Sequence, residues 1–108
     1  MPRTPVVLYR LGNASDPKMD NVRPKDIDTF DVNGETWVRA GTGGISTSQS
    51  PGPIKGKWWR LEAGYDYGVL LLVWNDHADH WSWEPAKDMR LLDFKDALRS
   101  THPHFVRV

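Results

Sequence analysis

"DHWSWEP" (79–85) alternates polar and aromatic residues without a break and ends on a proline. Alternation of period two is the mark of an extended strand with one face turned inward. His80, Ser82 and Glu84 then share one face, and Trp81 and Trp83 the other. Indole rings of this size need burial, so the tryptophan face is the core face. The polar triplet points either to solvent or into a cleft. A chain of 108 residues with six tryptophans has enough apolar bulk for one hydrophobic core, and residues 1–108 read as a single domain.

Working outward, "GVLLLVW" (68–74) is continuously apolar, as expected of a strand covered on both faces. "KWWRLEA" (57–63) alternates, with Trp58, Arg60 and Glu62 opposite Trp59 and Leu61. "PVVLYR" (5–10) reads as a first strand entered through Pro5, and "ETWVRAG" (35–41) as a short strand after an Asn-Gly turn. Residues 11–34 are rich in Asn, Asp, Pro and Gly and read as a long surface loop. Residues 42–56 read as a turn, a short strand and a second turn. In "DMRLLDFKDALRS" (88–100), Leu91, Phe94 and Leu98 recur at helical spacing, with Asp88 as N-cap. The expected fold class is α+β: a small domain, mostly strands, with one C-terminal helix.

Composition narrows the function. Lys plus Arg and Asp plus Glu balance at 14 each, so the basic excess typical of nucleic-acid binders is missing. There is no cysteine, which excludes disulfides, thiolate metal sites and cysteine nucleophiles. The longest apolar run is far short of the ~20 residues of a membrane-spanning helix, and no signal-peptide pattern opens the chain. His77 and His80, with Asp76 and Asp79, have the residue types of a zinc site. In an extended strand, however, positions 77 and 80 face opposite ways, and a polar turn is the better reading; no metal is assigned.

Three stretches carry a resemblance: "VVLYR" (6–10), "GTGGISTS" (41–48) and "HWSWEPAKDM" (80–89). An arginine ending an early strand, a Gly-Gly-x-Ser-Thr-Ser segment and a late His/Glu strand follow one another in the order of ADP-ribosyltransferase toxins. The set is most similar to the toxins related to the type VI secretion exported effector 2. The match of Pro85, Ala86 and Met89 after His80 is its most specific part. The resemblance implies a small split β-sheet fold that clamps NAD between two sheets. It implies Arg10, Ser46, His80 and Glu84 as catalytic residues, and Tyr9, Arg10, Gly44, Ser46, Thr47, Ser48 and His80 as NAD-binding ones. The planar fork of Arg10 suits a pyrophosphate oxygen, and His80 a ribose hydroxyl. Glu84 suits the charge developing at the nicotinamide–ribose bond, and Tyr9, Trp58 or Trp59 suits ring stacking.

The product of such chemistry is either a modified macromolecular target or free ADP-ribose, so transferase and NAD glycohydrolase stay open. The resemblance also implies an immunity or inhibitor protein as partner, and action in the cytoplasm of the producer or of a target cell. Two other readings remain. His, Glu and Arg also meet the needs of a metal-independent ribonuclease, and exposed tryptophans those of a non-enzymatic interaction module.

Overall fold

A computed structural model describes residues 2–74 and 79–108. The expected α+β architecture is present, with the β-structure divided between two antiparallel sheets and one helix near the C-terminus. The strands are β1 (Leu8–Gly12), β2 (Thr29–Val32), β3 (Glu35–Val38), β4 (Ile45–Ser48), β5 (Lys57–Leu61), β6 (Leu70–Trp74), β7 (His80–Pro85), β8 (Met89–Arg90) and β9 (Phe105–Arg107). The helix, α1, spans Leu91–Arg99. The larger sheet runs β6-β7-β4-β1-β5-β9 and the smaller β2-β3-β8.

Strand β7 behaves as its alternation demands. Trp83 is fully buried in the core, while His80 on the opposite face is exposed. The same inner face carries Ile45 from β4, Leu8 from β1, Leu61 from β5, Leu70 from β6 and Phe105 from β9. Val38 of the small sheet, Phe94 and Leu98 of α1, and Met19 and Ile27 of the 11–34 segment join them in one continuous cluster. Leu91, Phe94 and Leu98 recur on one side of α1, which is how the helix joins that core.

Four expectations are corrected. The segment 11–34 is not all loop: Thr29–Val32 pairs with β3 around the Asn33-Gly34 turn, both of whose residues have positive φ. Strand β6 is not covered on both faces. It is the end strand of the large sheet, and Leu71 and Val73 project from the outer face with 46% and 36% of their surface exposed. The helix starts at Leu91 rather than Asp88, because Met89 and Arg90 pair with β3 first. Asp88 instead accepts a hydrogen bond from the Ala40 N–H at 2.8 Å, tying β3's exit to the helix entry. The C-terminal strand β9 had no counterpart in the pattern, since three residues are too few to show a period. Residues Asp76 and His77 of the metal reading lie outside the described residues.

Candidate functional site

Cross-strand register gathers five of the sequence-predicted residues on the outer face of the large sheet. Tyr9 pairs with Ser48, and Ser48 with His80, so these three form one row across β1, β4 and β7. Ser46 pairs with Ser82 in the next row. Glu84 lies one row further, opposite Leu71 of β6. Four residues of extended chain separate His80 from Glu84, about 13 Å along the strand. Among these groups His80 and Ser46 are exposed, and Tyr9, Ser48 and Glu84 half-buried.

Arg10 is on the other face. It follows Tyr9 in a regular strand and pairs with Trp59, on the side of Leu8 and Leu61. Its guanidinium donates to two backbone carbonyls, Ser46 O at 3.0 Å and Lys18 O at 3.2 Å. These bonds use two of the five N–H groups an arginine offers. The Nε–H is buried and has no hydrogen-bond acceptor. Arg10 makes no ion pair among the described residues. Burial pulls its pKa down, Asp26 opposes this and the nearby Arg23 adds to it; an arginine stays charged regardless. The result is a largely enclosed cation with spare donors and no carboxylate in contact, the electrostatic condition for holding an anion.

Thr47 and Gly44 have structural work. The Thr47 hydroxyl donates to Trp81 O at 3.1 Å and accepts from the Trp83 indole N–H at 3.0 Å, so its one proton is committed. Gly44 lies against β7: a Cβ there would sit 2.1 Å from Trp83 O and 2.9 Å from the Glu84 side chain. The absent side chain is what lets β4 and β7 approach. Trp58 is on the outer face and donates to Ile54 O at 3.0 Å, holding the 49–56 turn against the sheet. Trp59, beside Arg10, donates to Asn13 O at 2.8 Å.

One polar cluster escaped the sequence reading because its members are far apart in the chain. Ligand-type atoms of Asp16, Asp20 and His102 lie within 4.8 Å of one another. His102 Nε2 accepts from the Met19 N–H at 3.1 Å, and Asp20 accepts from Arg99 at 2.9 Å. Asp16 caps the Lys18 N–H at 2.8 Å. The bonds fasten the 13–20 loop to the C-terminal segment and occupy the imidazole lone pair that a metal would need.

Cavities among the described residues include four of about 160 to 280 Å³. The one of about 280 Å³ lies between the β2–β3 turn and the start of α1, and none of these four is lined by Arg10, Ser46, His80 or Glu84. Comparisons with protein-family models, with curated proteins and with solved structures find no match.

Proposed function

We propose that the chain is a toxin-like NAD-using enzyme, an ADP-ribosyltransferase or an NAD glycohydrolase, with Arg10 as its anion-holding group. The observation that carries this reading is the enclosed, unpaired guanidinium of Arg10, with a buried Nε–H that lacks an acceptor. A pyrophosphate oxygen is an acceptor of the kind that the spare N–H groups of a guanidinium hold. Trp59, directly across from Arg10, is on the same side of the sheet, with the Arg107 guanidinium 5.9 Å from its ring centre.

The rest of the predicted set fits less simply. Tyr9, Ser46, Ser48, His80 and Glu84 are on the opposite face, so one ligand reaches both groups only around the end of the sheet. NAD supplies a nicotinamide leaving group on a ribose carbon; the chain supplies orientation and charge. On the inner face Arg10 holds phosphate. On the outer face His80 and Ser48, paired neighbours across β4 and β7, can each bond a hydroxyl. A macromolecular target and an inhibitor protein are the partners this reading calls for, and the cytoplasm of the producer or of a target cell the place of action.

The test is release of nicotinamide from NAD by the purified chain, with Arg10→Ala and His80→Ala measured alongside. Loss in Arg10→Ala alone places the substrate on the inner face; loss in both requires a ligand that wraps the sheet end. A well-folded wild type that neither binds nor cleaves NAD refutes the proposal. A second reading, a non-enzymatic interaction module, is favoured by the exposed apolar residues Leu71, Val73 and Val106 on the outer face. It expects Arg10→Ala to leave partner binding intact.

A further inference from the structure

An imidazole nitrogen that accepts a hydrogen bond carries no proton, and a proton placed on it turns the acceptor into a donor. His102, half-buried in the turn after α1, stands in that position: its Nε2 accepts the N–H of the fully buried Met19 at 3.1 Å. A proton on Nε2 sets two donors against each other, and a new acceptor is at hand. Asp20 Oδ1 lies 3.7 Å from the same nitrogen, and it is Oδ2, not Oδ1, that receives the Arg99 Nε–H at 2.9 Å. The Asp16 carboxylate is within 4.8 Å as well. Both carboxylates come from the 13–20 loop and Arg99 from α1, while His104, two residues on, packs against the ring of Tyr65 instead.

We propose that His102 is a pH-operated latch: neutral, it ties residues 16–20 down over Arg10, and protonated, it exchanges the Met19 N–H for Asp20 and loosens that segment. Two observations connect the latch to Arg10. Lys18, the residue before Met19, gives its C=O to the Arg10 guanidinium at 3.2 Å, so the segment that His102 fastens is the one that occupies an Arg10 donor. Lys18 also has a φ of 56°, in the left-handed region that a residue with a side chain enters at a cost. A segment held in that conformation by its attachments relaxes when one of them goes. Pro17 and Met19 are fully buried, so the change is a local loosening and not a release of the whole loop.

The direction follows from linkage. The loosened form binds one more proton, so acid favours it, and the latch is shut on the alkaline side of the imidazole titration. Burial raises the Asp20 pKa, but the Arg99 hydrogen bond and other contacts leave it below the usual carboxylate value, so Asp20 stays an anion while an imidazole takes up its proton. The latch stands apart from the NAD reading, which bears only on what a freed Arg10 donor would hold.

Nuclear magnetic resonance of the wild type over about pH 5 to 8, the span in which imidazoles ordinarily titrate, tests it. At the alkaline end the ring nitrogens of His102 should show Nε2 bare and Nδ1 protonated. As the pH falls, the Met19 amide shift should move in step with the ring signals. Protection of that amide, corrected for the intrinsic pH dependence of exchange, should drop about tenfold, the scale of an amide left without its partner. The Arg10 guanidinium N–H groups should exchange faster with it, and the Trp83 amide in the β4–β7 ladder should not. His102→Gln keeps an acceptor that gains no proton, and its Met19 amide should stay protected throughout. The proposal is overturned by an Nε2 already protonated at the alkaline end, or by a ring that takes up no proton across the range. A Met19 amide or an Arg10 guanidinium indifferent to the ring's titration overturns it too, as does a His102→Gln protein that loses protection as the wild type does.

Discussion

Replacing Thr47 with valine keeps the shape of the side chain and removes only its hydroxyl. That hydroxyl sits at 2% exposure between Trp81 O and the indole N–H of Trp83, itself fully buried. The hydrogen bond to Trp81 O, worth about 1 kcal/mol net, disappears, and the indole N–H is left without a partner, a penalty of about 1–3 kcal/mol when unrelieved. Water cannot reach it, so a total loss of about 2–4 kcal/mol is expected. For a domain whose whole stability is about 5–15 kcal/mol, this is a large share. Urea unfolding of the wild type, Thr47→Val, Trp83→Phe and the double variant measures it as a cycle. With phenylalanine at 83 no donor remains to be orphaned, so the double variant should cost less than the two single changes summed, by about 1 kcal/mol or more. Additive costs, or a Thr47→Val stability within about 0.5 kcal/mol of wild type, would refute the idea that this hydroxyl serves the core.

Gly44→Ala should destabilise by about 1–3 kcal/mol, the usual cost of forcing atoms into a packed site, because its Cβ would collide with Trp83 O. An unchanged melting temperature would show that β4 and β7 can separate at no cost. Stability should fall as the solution is acidified below about pH 4, the ordinary carboxylate range. Burial raises the Asp20 pKa, but the hydrogen bond and charge of Arg99, with further favourable contacts, outweigh it and hold the pKa below the usual value. A carboxylate depressed in the folded state contributes stability that is present above its unfolded pKa and lost as pH falls through the folded one. Asp20→Asn should flatten this acid limb in pH-dependent urea titrations, and an identical limb in the variant would count against the Arg99–Asp20 link.

The large features of the fold were legible because they rest on period. The alternation of residues 79–85 separates Trp83 from His80, and that of 57–61 separates Leu61 from Arg60, as the structure has them. Strand β2 was hidden because Phe30 is its one large buried-type residue, set among aspartates and prolines. The exposure of β6 is not legible because an unbroken apolar run looks the same whether both faces are covered or one is left bare. The candidate site was legible in its residue types and less so in its geometry. Parity already separates Arg10 from Tyr9, and Thr47 from Ser46 and Ser48, but parity within one strand does not say which strands' faces coincide. That requires the pairing of Tyr9 with Ser48 and of Ser48 with His80.

Strand β1, which precedes the other strands in the sequence, ends up in the interior of the large sheet between β4 and β5, while β7 and β9 are added further out. During synthesis the earliest strand must therefore wait for residues 45–61 before it has neighbours, and Trp83, the largest core side chain, comes later still. Loop closure of this span precedes any reward from packing. The sheet cannot lock in piece by piece from β1 onward, and its centre stays open until the strands on both sides of β1 have been made.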